Sequence, residues 1–132
     1  MKKTAVKTGA ITAAMIVFAW AAPAAAGALD ECLTAGDHAA VTRCLVEADA
    51  QAQAALRNAE AAAGTRAREI DTATGRSGVN AALAKTLRAF SDYRTLQCDY
   101  IRALYASGGG AEQAGLGCRV DLTRRRVREL QP

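Results

Sequence analysis

Apolar positions recur every three or four residues along most of the chain, which is the period of a helix with one buried face. From Asp37 to about Ile70 the positions Val41, Cys44, Leu45, Ala48, Ala52, Ala55, Leu56, Ala59, Ala63 and Ile70 share a face. Alanine, leucine, arginine and glutamate dominate this stretch and proline is absent, so propensity agrees with period. Gly64 is its one weak point, and Asp37 is a suitable N-cap. Many of the core-facing residues are alanine, so a partner helix can approach closely and packing must rest on many small contacts.

The stretch Thr72-Ala73-Thr74-Gly75-Arg76 interrupts the pattern, and Ser77 can cap a second helix. That helix carries Val79, Leu83, Leu87, Phe90, Arg94, Gln97, Ile101 and Leu104 on its stripe, with Tyr93, Cys98 and Tyr105 at the edge. It runs to about Ala106, where Ser107-Gly108-Gly109-Gly110 stops it. A third helix from about Ala111 to Leu130 presents Leu116, Val120, Thr123, Val127 and Leu130 on one face. Asp121, Arg124, Arg125 and Arg128 fall mostly on its other faces, and Gly115 and Gly117 weaken its first turns. No repeat and no strand-like alternation interrupts this pattern. The expectation is an all-α fold, a small three-helix antiparallel arrangement made of a long α-hairpin plus a C-terminal helix.

The beginning of the chain has a different character. Lys2, Lys3 and Lys7 precede a charge-free apolar run from Ala10 to Ala22, then Pro23 and Ala24-Ala25-Ala26. A positive start, an apolar run and a small-x-small end are the layout of a secretory signal peptide. The expected cut lies between Ala26 and Gly27, with cleavage after Ala24 as the competitor. The division is therefore a leader over residues 1–26 and one helical domain over residues 27–132. With its flanks the apolar run approaches the ~18–20 residues that span a bilayer, so a retained anchor is the competing reading. Its alanine richness and small-x-small end favour cleavage. No cysteine follows the run directly, so a lipid anchor is not expected. Membrane contact is confined to the leader, and the expected location is periplasmic or secreted.

Removal of the leader changes the charge. It leaves 106 residues with 14 of the 17 basic side chains against 13 acidic ones, so the processed chain is near neutral. A nucleic-acid binder normally shows a strong positive field, and nucleic acid is set aside as a partner.

Cys32, Cys44, Cys98 and Cys118 are even in number in an exported chain, which points to disulfides. Four cysteines allow three connectivities, and a bridge needs Cα atoms within about 7 Å. Cys98 and Cys118 lie equally far on either side of Gly108, so they meet at one height on antiparallel helices. Cys32 and Cys44 flank Ala35-Gly36-Asp37, a local reversal. Cys44 and Cys98, by contrast, are offset by roughly 10 Å at ~1.5 Å per helical residue. The pairing expected from spacing is Cys32–Cys44 and Cys98–Cys118. No Cys-x-x-Cys redox motif and no finger-like metal spacing is present.

Catalytic chemistry is poorly provided for. His38 is the single histidine, and it reads as a first-turn surface residue beside Asp37. No Ser-His-Asp set, metal set or paired carboxylates stand out, so neither an enzyme nor a cofactor or metal is expected. The basic run Arg124, Arg125, Arg126 and Arg128 reads as a solvated helix face paired with Asp121 and Glu129.

The segment Ala89-Phe90-Ser91-Asp92-Tyr93-Arg94-Thr95-Leu96-Gln97-Cys98, a glycine-rich loop, and then Cys118-x4-Thr123-x2-Arg126-x2-Glu129-Leu130 resembles the LprI-like family of secreted four-cysteine domains. Phe90 stands where tryptophan is usual, while Tyr93, Arg94, Cys98, Cys118, Thr123 and Arg126 fit. Cys32 and Cys44, with Thr34 between, fit as well, and the middle from Gln53 to Leu83 matches only in being helical. The resemblance implies a periplasmic or secreted binding protein that blocks lysozyme by occupying its cleft. The alternative is a structural or interaction module of the envelope without inhibitory activity, whose partner is another protein, the peptidoglycan or an anionic surface. An acidic patch at Asp30, Glu31 and Asp37 would suit a basic lysozyme. Tyr93 and Arg94, on the side of the buried stripe, read as an internal brace.

Overall fold

The computed structural model describes residues 27–105 and 108–131. The leader expected over residues 1–26 lies outside the described residues. Among the described residues four helices follow one another: α1 (Ala28–Leu33), α2 (His38–Thr74), α3 (Val79–Leu104) and α4 (Gly109–Leu130). The fold is all-α, with one helix more than the sequence pattern predicts. The addition is α1, whose six residues are too few for a period to reveal. Tertiary contacts hold it instead. Ala28 and Cys32 are buried, and the Ala28 N–H donates to Asp121 Oδ1 of α4 at 2.9 Å.

Local chemistry sets the other boundaries, not always through the expected residues. Asp37 accepts from the Ala40 N–H at 2.8 Å and starts α2. The helix then continues through Thr72-Ala73-Thr74, where a break was expected. β-Branched residues lower helix propensity by only tenths of a kcal/mol, and the Thr74 hydroxyl donates to the Ile70 carbonyl at 2.7 Å. The stop is Gly75, left-handed at φ +65°. Ser77 does not cap α3. Asp71, in the last turn of α2, accepts from the Val79 and Asn80 N–H groups at 2.9 and 3.0 Å. The third predicted helix starts two residues early, after Gly108 at φ +113°.

α4 packs on all three other helices, while α1 and α3 do not touch. One core cluster gathers Ala28, Cys32, Val41, Leu45, Leu116 and Val120. A second joins Leu56, Ala63 and Leu130 to the partly buried Leu83, Leu87, Phe90 and Val127. Of the predicted α2 face, Ala55 and Ile70 are exposed, and Ala67 is buried instead. For Ile70 the reason is the length of the partner. α4 ends at Leu130, whose carbonyl accepts from Arg66, so positions beyond Ala67 have no α4 surface to meet.

Gly115 and Gly117, read from sequence as weak points, are close-approach points. A Cβ on Gly117 would sit 3.1 Å from Leu29 Cβ, and one on Gly115 would sit 3.2 Å from Arg102 Nε. Glycine there lets α1 and α3 lie against α4. Two disulfides fasten the same end: Cys32 bonds Cys44 with Cα atoms 5.7 Å apart, and Cys98 bonds Cys118 with Cα atoms 5.5 Å apart.

Candidate functional site

Phe90, Arg94, Thr123 and Arg126 meet where α3 crosses α4. The Arg94 and Arg126 guanidinium carbons lie 5.5 and 5.4 Å from the centroid of the same Phe90 ring, so two cations share one aromatic quadrupole. Arg94 Nη1 donates to Thr123 Oγ1 at 2.9 Å, and Thr123 is fully buried. Arg126 Nη2 donates to Thr86 Oγ1 at 3.1 Å, and its Nη1 lies 3.2 Å from Glu129. The cluster ties α3 to α4 and carries no reactive group. It is a brace.

Tyr93 stands apart from this brace. It is 47% exposed, and its ring takes neither of the two arginines that lie over Phe90. The arginine run keeps its expected pairing with Glu129 but otherwise differs from its sequence reading. Arg126 turns inward over Phe90, Arg124 pairs with Glu31 of α1 at 2.8 Å, and Arg125 faces Glu129 at 3.8 Å. Asp121 takes none of these arginines and accepts from the Ala28 N–H instead. The acidic patch is likewise partly spent, Glu31 on Arg124 and Asp37 on the cap of α2. Asp30 stays exposed.

His38 is exposed but not idle. The Gln113 amide donates to His38 Nδ1 at 2.7 Å, and also reaches the His38 carbonyl and Thr42 Oγ1, each at 3.0 Å. A Cβ on Gly109 would overlap the His38 ring, so the start of α4 lies flush against it. The histidine fastens the start of α2 to the start of α4.

Among the described residues there is an open groove of about 420 Å³, with α4 as its floor and α1 and α3 as its walls. Leu29, Tyr93, Ile101, Tyr105, Leu122 and Arg125 line it. It exists because α1 and α3 both pack on α4 without reaching each other. Beside it, the outer surface of α3 shows Tyr93, Leu96, Tyr100 and Leu104, spaced by three, four and four residues. These side chains are 47, 70, 58 and 60% exposed. Of the three tyrosines of the chain, Tyr93 and Tyr105 line the groove and Tyr100 stands on the exposed row.

Sequence reasoning put Leu104 on the buried stripe and passed over Leu96 and Tyr100. A usable signal was present. At about 100° per residue, the apolar residues Leu96, Tyr100, Tyr93, Leu104, Ile101 and Cys98 spread over one arc of α3 that is interrupted by Gln97 and Arg94. That is roughly 200°, wider than the stripe a surface helix needs to cover one core.

Comparison with curated proteins and with solved structures finds no match. The family model described as Lysozyme inhibitor LprI matches residues 30–130, a span that holds all four cysteines, the Phe90 brace and the α3 face. With most of its length covered by that match, the chain belongs to the lysozyme inhibitor LprI family.

Proposed function

We propose that this protein is exported, loses its leader, and acts outside the cytoplasm as a binding protein that blocks a lysozyme-type enzyme. The observation that carries the reading is the family match over residues 30–130. Two paired disulfides agree with an oxidising compartment. The fold offers rigid display: α4 is clamped to α2 and α3, and a bridge ties α1 to α2, so a surface built on them loses little freedom on binding.

Gly27 bears on the position of the cut. A Cβ there would lie 2.9 Å from Asp121 Oδ2. Cleavage after Ala26 would leave the new ammonium on the residue preceding Ala28, whose own N–H donates to Asp121, whereas cleavage after Ala24 would place it two residues further away. Terminal sequencing of the exported product distinguishes the two.

The test of function uses the exported protein in large molar excess against an animal c-type lysozyme and against bacterial wall-lytic enzymes. Slowed hydrolysis by at least one of them is the expected result. Rates unchanged across the whole set refute the reading.

A further inference from the structure

We propose that the cleft between α2 and α3, where Arg57, Arg88 and Arg94 converge, binds an acidic polysaccharide. The proposal goes beyond inhibition and does not depend on it. It begins from where the charge lies. The turn at Gly75 and the end of α4 share one end of the bundle, and both disulfides fasten the other. Residues 57–94 and 125–131, at the first end, carry ten basic side chains against five acidic ones. Residues 27–56 and 95–123 carry three against seven, once Glu31 is set aside with Arg124, its partner at the boundary. A processed chain that is near neutral as a whole is therefore positive at one end and negative at the other. Among the described residues the ion pairs are Asp99 with Arg102, Asp49 with Arg119, Glu31 with Arg124, and Glu129 with both Arg125 and Arg126. None of them occupies Arg57, Arg68, Arg88 or Arg94.

The cleft has a volume of about 330 Å³ and is lined by α2 and α3 alone. Its rim holds Arg57, Arg88 and Arg94, with Glu60 as the one carboxylate. Asp92 and Lys85 each stand about one turn from Arg88, so counting these neighbours leaves the cleft positive. Arg68 lies three turns beyond Arg57 on the same line of α2, and its Nη1 folds back to 3.3 Å from where a Cβ on Gly64 would sit. At ~1.5 Å per residue the two arginines are roughly 16 Å apart. Cations spread over that length match charges that repeat along a chain, and a single ion cannot span them. The other lining groups narrow the chemistry. An arginine fork takes a carboxylate through two parallel hydrogen bonds. Gln53 and Ser91 add a neutral amide and a hydroxyl, which can donate to and accept from sugar hydroxyls. Leu56, Leu87 and Phe90 supply apolar surface beneath them. A bilayer is flat and meets a cleft between helices poorly, whereas a polysaccharide strand can lie along it. With the strand held there, the disulfide end and the groove beside α1 stay free.

The experiment uses exported, oxidised protein and measures binding to polygalacturonate, with dextran as the neutral counterpart. Polyphosphate and phosphatidylglycerol vesicles are the other anionic arms. Arg57→Glu and Arg88→Glu change exposed positions of the cleft, singly and together. Arg43→Glu makes the same change in net charge at an exposed position of the opposite end. Helical circular dichroism and the melting temperature verify that each variant folds. The expected result is that wild type binds polygalacturonate and not dextran, and that added salt weakens the binding. The double variant is expected to lose at least tenfold in affinity, while Arg43→Glu stays within twofold of wild type. An equal loss in Arg43→Glu overturns the cleft, because net charge alone then accounts for binding. So does affinity that survives the double substitution. Binding of vesicles or polyphosphate that matches or exceeds that of polygalacturonate overturns the choice of a polysaccharide, and wild type that binds none of the anionic probes overturns the proposal entirely.

Discussion

Two glycines in helix interiors, Gly64 of α2 and Gly117 of α4, invite the same substitution with opposite outcomes. Replacing glycine by alanine inside a helix contributes about 0.5–1 kcal/mol from backbone entropy, and this gain is common to both sites. The surroundings differ. A Cβ at Gly64 would meet only Arg68 Nη1, at 3.3 Å, the end of a flexible side chain that can swing aside. A Cβ at Gly117 would lie 3.1 Å from Leu29 Cβ and 3.4 Å from Leu29 N. Leu29 cannot retreat, because the Ala28 N–H bond to Asp121 and the Cys32–Cys44 bridge hold α1 on either side of it. Overpacking of this kind costs about 1–3 kcal/mol. Subtracting the shared gain, Gly64→Ala is expected to stabilise by up to ~1 kcal/mol, while Gly117→Ala is neutral or destabilising by up to ~2 kcal/mol. A difference of about 1–3 kcal/mol corresponds to roughly 4 °C or more in midpoint for a domain near this size. Thermal unfolding of the two oxidised variants, followed by helical circular dichroism, measures it. If Gly117→Ala raises the midpoint as much as Gly64→Ala does, the close packing of α1 on α4 is not what requires glycine at that position.

The cap of α3 is open to a similar contrast: Asp71→Ala removes the acceptor of two N–H groups and is expected to cost about 1–2 kcal/mol, whereas Ser77→Ala stays within about 0.5 kcal/mol, both read from denaturant midpoints. Replacing Cys98 and Cys118 together by alanine opens a loop of 20 residues and is expected to remove about 3 kcal/mol, seen as a lower urea midpoint; an unchanged midpoint would show that α4 packing alone holds that end.

Much of this protein is legible in its sequence because helical order is local. A three-and-four period, a capping Asp37 and an αL glycine each act within a few residues, so α2, α3 and α4 follow from neighbours along the chain. The cysteine spacing is also informative, since antiparallel helices of known rise act as rulers. What sequence could not decide depends on which surfaces meet. α1 is too short to declare itself, and it is helical because Asp121, 93 residues away, takes its Ala28 N–H. Asp71 caps a helix it does not belong to, and the glycines of α4 look like defects until Leu29 and Arg102 are seen against them. The same limit applies to the face of α3. Periodicity shows that Leu96, Tyr100 and Leu104 are apolar neighbours, but only the placement of α1 and α4 leaves them uncovered, because one helix surface can be shielded only by partners long and close enough to reach it.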